Sequence, residues 1–478
     1  MSNTSQASVR INSLLDENSF VEIGAMVTAR ATDFNMDPKA TPTDGVVTGY
    51  GLINGSLVYV YSQDASVMGG SIGEMHAKKI VNLYDLAMKT GAPVIGLIDS
   101  TGLRLLEATD ALAAFGEIYK TQAMASGVIP QITAVFGGCG GGLALFPTMT
   151  DFTFMESTKG KLFVNSPNAL QGNYEEKNNT SSAKFQSEEC GTVDVVADEA
   201  TIYEQIRCLV DLLPENNDEN GAFIDCTDDL NRACSDLAAC VGDTSVALSR
   251  IADDQMFFEV KADYAKNMVT GLMRLNGITV GAVANRTEVF DEEGKVAEKF
   301  DAVLTPAGCA KAADFVNFCD AFDIPVITLT NVNGFEATIC SEKKIANAAA
   351  KLTYAFANAT VPKINVVIKE AFGSAYVTMN SKALGADMTF AWDTASIGMM
   401  DADMAAKLLF EKDEDKAEDK AEKTAKYKEM QTSVESAARR GYVDTIISAE
   451  DTRKYIIGAL EMLFTKREGR PVKKHGAI

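Results

Sequence analysis

Apolar runs of strand length, LVYVYSQ (57–63), APVIGLID (92–99) and VIPQITAVF (128–136), alternate along the chain with amphipathic stretches such as IVNLYDLAMKTG (80–91). Strands that alternate with helical segments of about 10–15 residues predict βαβ units and a largely parallel sheet. The same pattern then returns. VTGYGLING (47–55) recurs as VTGLMRLNG (269–277), shifted by 222. APVIGLID recurs as IPVITLTN (324–331) and VIPQITAVF as TVPKINVVI (360–368), both shifted by 232. DFTF at 151 becomes DMTF at 387, and CGTVD at 190 becomes RGYVD at 440. The order is kept while the shift drifts only from 222 to 250, so the chain reads as a duplicated α/β domain. Residues 1–235 are expected to form the N-terminal domain and 245–478 the C-terminal one, with the polar stretch PENNDENG (214–221) starting the connection.

Two segments read as non-catalytic. EKDEDKAEDKAEKTAKYKEM (411–430) consists almost wholly of helix formers, with pairs such as Glu422 and Lys426 four apart, and predicts a solvated helix. The basic end KREGRPVKKHGAI reads as a surface tail.

In each half the second buried strand runs into glycine: FGGCGGGLALF after Pro130 and KEAFGSAYVTM after Pro362. Under the 232 shift Gly141 matches Gly373 and Gly142 matches Ser374. A strand that ends in glycine and opens a helix presents unshielded N–H groups, the hardware of an oxyanion hole. Close helix-to-strand packing is the plainer use of such glycines, but the recurrence in both halves favours two anion-stabilising sites. Neither turn has a phosphate-loop or full dinucleotide pattern.

Composition narrows the chemistry. The 478 residues are 46% hydrophobic, enough for two cores, and the net charge of -22 gives no general attraction to nucleic acid or anionic membrane. No apolar run approaches the roughly 18–20 residues that span a bilayer, and the start lacks a secretory layout, so a cytoplasmic protein is expected. The nine cysteines are widely spaced with no C-x-x-C pair, which argues against a disulfide framework or a zinc site; no metal is expected. Only His76 and His475 exist, so mechanisms built on a catalytic histidine have little to work with.

Several decoys are set aside. GGSIG (69–73) fits a nucleophile elbow around Ser71, but the preceding strand ends several residues earlier and His475 sits in the basic tail. Cys139 has no base nearby and reads as a small buried residue. Lys89 in AMKT lies in a helix rather than at a hairpin tip, and His76 is placed near a helix start in a structural role.

The words DGVVTGYGLINGSLVYVYSQD, GGSIGEMHAKKI, GAPVIGLIDSTGLR, ASGVIPQITAVFGGCGGG, KLTYAFANATVPKINVVI and RRGYVDTII run in order from about residue 44 onward. In them the chain resembles the carboxyltransferase subunits of biotin-dependent acyl-CoA carboxylases and decarboxylases, of the propionyl-CoA carboxylase β-subunit type, in the crotonase-like superfamily. The resemblance implies duplicated spiral ββα crotonase-like (ClpP/crotonase) domains. It implies that Gly141 and Gly142 hold the enolate of an acyl-CoA thioester, and that Gly373, Ser374 and Ala375 hold the ureido oxygen of biotin. The biotin sits on a separate carrier protein and itself serves as base once decarboxylated, which accounts for the scarce histidines. Val377 is a candidate for shaping the acyl pocket, with core packing as its alternative. The implied partners are acyl-CoA, the biotin carrier protein, and a biotin carboxylase or a membrane decarboxylase subunit. The implied assembly is a homo-hexamer, with sites between the N-half of one subunit and the C-half of another. The chain departs from the family's D-S-G-G-A-R, D-V-P-G-F, I-I-R-H-G-A-K and Gly-Gly-Ala at DSTGLR (99–104), NVNGF (331–335), IANAAAK (345–351) and Gly373-Ser374-Ala375. Carboxylation and decarboxylation stay open, as do a biotin-independent hydratase or decarboxylase using Glu107 and a non-catalytic scaffold for CoA esters.

Overall fold

The computed structural model describes residues 5–30, 41–218, 223–291, 293–410 and 417–471. Backbone contacts divide the chain into two units, Met1–Ala222 and Phe223–Ile478.

The first unit runs α1 (Gln6–Leu14), β1 (Val21–Ile23), β2 (Val46–Ile53), β3 (Ser56–Gln63), α2 (Glu74–Thr90), β4 (Val94–Ser100), α3 (Ala108–Ala125), β5 (Gln131–Gly140), α4 (Leu145–Thr148), β6 (Phe152–Glu156), β7 (Lys161–Phe163), β8 (Val195–Ala197) and α5 (Glu199–Leu212). Its sheet has the order β1-β2-β3-β4-β5-β6-β8, with β7 beside the far end of β5. The pairs β1/β2 and β2/β3 are antiparallel and the rest parallel. Asn54 and Gly55, both at positive φ (51° and 89°), form the two-residue hairpin turn that joins β2 to β3. Apolar residues of β3, β4 and β5 such as Tyr61, Val94, Ile98 and Val135 pack with Ile80 and Leu83 of α2 and Phe115 and Ile118 of α3.

The second unit runs α6 (Thr244–Ile251), β9 (Phe257–Val260), β10 (Met268–Leu275), β11 (Ile278–Asn285), β12 (Glu288–Phe290), β13 (Val296–Lys299), α7 (Pro306–Ala321), β14 (Val326–Val332), α8 (Ile339–Glu342), α9 (Ile345–Asn358), β15 (Lys363–Phe372), α10 (Gly373–Thr378), β16 (Met388–Trp392), β17 (Ser396–Gly398), α11 (Ala402–Phe410), α12 (Ala417–Tyr427), α13 (Val434–Arg439), β18 (Thr445–Ile447) and α14 (Thr452–Leu463). The sheet order β9-β10-β11-β14-β15-β16-β18, with β17 beside β15, copies the first unit strand for strand. Even the Asn-Gly hairpin returns, at Asn276 and Gly277. The small hairpin β12/β13 is an addition of this unit.

The repetition extends to polar details that the strand pattern did not reveal. A carboxylate at the start of β6, Asp151, accepts the Gln131 N–H at 2.8 Å; its counterpart Asp387 accepts the Lys363 N–H at the same distance. In the second unit Lys466 pairs with Asp387 at 2.8 Å, whereas Asp151 faces Asp194 and is pushed up to about 7, chiefly by burial.

Helix α12 and its continuation bear out the helix expected over 411–430 as far as described; residues 411–416 lie outside the described residues, as do 219–221 of the connection and 472–478 of the tail with His475. Among the described residues no helix is long and apolar enough to cross a membrane.

Candidate active site

In the first unit β5 delivers the Gly-rich turn. Three of its glycines are needed for close packing. A Cβ at Gly137 would lie 2.0 Å from Asp99 Oδ1, one at Gly138 2.7 Å from Ser100 O, and one at Gly140 2.7 Å from the Phe163 ring. Gly141 differs, because nothing lies within 4 Å of its Cβ position and its φ of 65° is what demands glycine. There the chain turns out of the strand into a short 3-10 segment, Gly141–Ala144, that leads into α4. The first N–H groups of such a turn have no acceptor within it. Gly142 is exposed while Leu143 and Ala144 anchor the turn in the core.

The loop after β4, DSTGLR, is fixed beside this turn. Ile72 and Leu103 form a parallel bridge, with Ile72 N–H to Gly102 O at 2.8 Å and Arg104 N–H to Ile72 O at 2.9 Å. Arg104 is buried and its guanidinium joins three loops. It donates to Asp44, to Glu107 Oε1 at 2.9 Å and to Ser71 O at 2.6 Å. Glu107 Oε2 also accepts the Glu74 N–H at 2.6 Å. Glu107 is therefore a buried partner of Arg104 in a short 3-10 turn. Burial raises the Asp44 carboxyl, against the lowering influence of Arg104.

The decoys resolve in structural roles. Ser71 is buried under Arg104. His76 is fully buried in the first turn of α2, its Nδ1 2.9 Å from Asp44 O and its own N–H given to Asp44 Oδ2; burial holds its pKa well below the usual range. Cys139 is buried and its thiol is pushed up strongly by desolvation. Lys89 is exposed in the last turn of α2.

In the second unit β15 ends at Phe372 and Gly373 turns the chain with φ 64°, within a degree of Gly141. A Cβ on Gly373 would approach Met399 O to 3.3 Å. Helix α10 begins here, with Ser374 exposed as Gly142 is, and Ala375 buried as Leu143 is. The loop bridge also recurs: Leu304 pairs with Phe335, 232 residues on from Ile72 and Leu103.

Beside Gly373 opens a cavity of about 550 Å³ lined by Gly373, Ser374, Tyr376, Val377, Ile397, Met399 and Tyr442, with Lys382 and Arg440 among its polar residues. Its size and largely apolar wall fit a compact organic ligand with one polar edge. Val377 is 40% exposed on this wall, which argues for the lining role over core packing. Tyr376 is buried, and its hydroxyl is pushed up to about 12. Arg440 is itself oriented, donating to Met430 O at 2.8 Å and Gln431 Oε1 at 3.0 Å. Among the described residues no cluster of histidine, cysteine and carboxylate is placed to hold a metal ion.

The sequence placed both turns and Val377 but missed Arg104, Asp44 and the two loop bridges. Only the 232-residue offset, applied to Ile72 and Leu103, could have pointed to the second bridge.

Known proteins share this arrangement. The α-subunit of methylmalonyl-CoA decarboxylase from Veillonella parvula is 39% identical over 98% of this chain and 92% of its own length. The propionyl-CoA carboxylase β-chain of Roseobacter denitrificans is 40% identical, with the same coverage of both chains. A crystal structure of transcarboxylase 12S, a hexamer with methylmalonyl-CoA and methylmalonic acid bound, superposes with a TM-score of 0.91 at 38% identity, over 98% of this chain and 92% of that one. The family described as the carboxyl transferase domain matches residues 3–478. With twin ββα units, twin glycine turns and a match that spans nearly every residue, the chain belongs to the carboxyl transferase family.

Proposed function

We propose that this protein is the carboxyltransferase subunit of a propionyl-CoA or methylmalonyl-CoA carboxylase or decarboxylase, moving a carboxyl group between carboxybiotin and the α-carbon of the acyl-CoA. The observation that supports it best is the pair of strand-to-turn glycines at φ 65° and 64° in a chain of this family. In this reading the N–H groups of Gly141 and Gly142 receive the enolate oxygen of the thioester. Those of Gly373, Ser374 and Ala375 receive the ureido oxygen of biotin. Fixed backbone donors stabilise developing negative charge without reorganising. Biotin, when bound from its carrier protein, supplies or accepts the carboxyl group and the basic nitrogen.

The residues of this chain then bind, orient and exclude water. Val377, Met399 and Ile397 give the cavity its apolar wall, and Arg440 supplies positive charge at its edge, where Lys382 is paired with Asp444. Val377 is the residue we assign to shaping the acyl pocket. Glu107 has both oxygens engaged, so nothing favours a hydratase built on it. We further propose a homo-hexamer in the cytoplasm that meets a biotin carrier protein and either a biotin carboxylase or a membrane decarboxylase subunit.

The test is CO2 release from carboxyl-labelled methylmalonyl-CoA by the full chain, with and without free biotin. Release that requires biotin supports the proposal. Equal release without biotin would move the protein to a self-sufficient decarboxylase, and binding of the ester with no release in either case would make it a scaffold.

A further inference from the structure

Gly141 and Gly142 lack side chains, so nothing of their own fixes the peptides on either side of them. The protein supplies a clamp from another element. Tyr119 of α3 donates its hydroxyl to Gly142 O at 2.7 Å. Its ring is set edge-on to Phe115 (centroids 5.9 Å apart, 82°) and to Phe146 (5.7 Å, 85°), so the hydroxyl is delivered from a locked side chain. Gly142 O also accepts the Leu145 N–H that closes the turn. Its two lone pairs are then both occupied, and the plane of the peptide after Gly142 is fixed. The approach is close, since a Cβ on Gly142 would lie 2.8 Å from the Tyr119 oxygen.

We infer that Tyr119 is a positioning residue for carboxyl transfer: by holding the Gly142 carbonyl it pins the chain on the far side of the Gly142 Cα, and so limits the rotation there that would swing the N–H groups of Gly141 and Gly142 away from the reacting oxygen. This rests on the proposed role of that turn as the enolate site. The hydroxyl is committed to the Gly142 carbonyl, so its removal changes how well the donors are aimed and leaves their number unchanged. At the position 232 residues on from Tyr119 the second unit has Lys351, which carries no phenol hydroxyl.

The test compares Tyr119→Phe and Gly142→Ala in the full chain, using methylmalonyl-CoA with free biotin as the carboxyl acceptor and hydrogen exchange as a second readout. Tyr119→Phe removes one oxygen and leaves the ring packing. Its kcat is expected to fall about tenfold, less than the roughly 100- to 1,000-fold loss of a whole oxyanion donor. KM for the CoA ester should stay within about twofold, as expected when only transition-state stabilisation is lost. Amides of residues 137–145 should exchange faster while those of α3 do not change. Unchanged kcat and unchanged exchange in Tyr119→Phe, beside an inactive Gly142→Ala, would overturn the inference and leave the enolate site standing. Full turnover in both variants would overturn the enolate reading and the inference with it. Faster exchange throughout α3 would make Tyr119 a packing residue only.

Discussion

Replacing Arg104 with leucine tests how the loops beside the first glycine turn are held. In the folded protein the Arg104 side chain is 1% exposed and the Asp44 and Glu107 side chains are fully buried. Leucine would leave two carboxylates in a closed pocket with no cation, along with an unanswered Ser71 carbonyl. Breaking a buried ion pair by removing one partner costs about 3–5 kcal/mol. For a unit of some 220 residues, at about 2–4 °C per kcal/mol, the melting temperature should fall by about 6–20 °C. The loss should also depend on pH in a definite direction. Asp44 already has a raised pKa in the folded state, so its contribution to stability declines as pH rises from the unfolded-state value through the folded one. Without Arg104 that pKa rises further, and protonation at low pH relieves the repulsion. The deficit relative to the unmodified protein should therefore be larger at pH 8 than at pH 5. Thermal melts of both proteins at the two pH values, with hydrogen exchange over residues 99–107, measure this. A deficit below about 1 kcal/mol, or one of equal size at both pH values, would refute the argument that the guanidinium neutralises buried charge.

Three further outcomes are expected. Asp151 is held up to about 7, so stability drains away from it as pH climbs from about 4 to about 7; Asp151→Asn should flatten that part of a melting-temperature profile. Gly373→Ala must place a side chain at φ 64° and 3.3 Å from Met399 O, a strain of about 1–3 kcal/mol; carboxyl transfer should fall at least tenfold while binding of the CoA ester to the isolated protein is kept, and an unaltered rate would count against the second turn as a biotin cradle. Cys139, buried with its thiol pushed up, should stay unalkylated by iodoacetamide at pH 8 in the folded protein, as peptide mass spectrometry would read directly.

Much of the architecture was legible because duplication doubles every signal. A single run such as PVIGLID is ambiguous between a buried strand and a helix segment, but its return as PVITLTN, each followed 37 residues after its proline by a second Pro-led strand, resolves it as β4 and β14. The glycine turns were legible for the same reason. The Arg104 clamp was not, since Asp44, Ser71, Arg104 and Glu107 are brought together only by the closing of three loops, and a glutamate three residues after an arginine looks like any helix surface. Tyr119 was hidden too: on α3 it reads as one more aromatic on an apolar face, and only its distance to Gly142 O distinguishes it from Phe115.

In each unit the sheet is closed by its own last strand, β8 at Val195–Ala197 in the first, and every strand of that sheet comes from residues before 198. The first unit can thus complete its hydrogen-bonded framework while the ribosome is still making the 256 residues Phe223–Ile478. At roughly 5–20 residues per second that interval lasts about 13–51 s, long compared with the folding of most single domains. Vectorial synthesis then separates two strand sets of the same order in time, so that β4 meets β5 before β14 or β15 exists to compete for it.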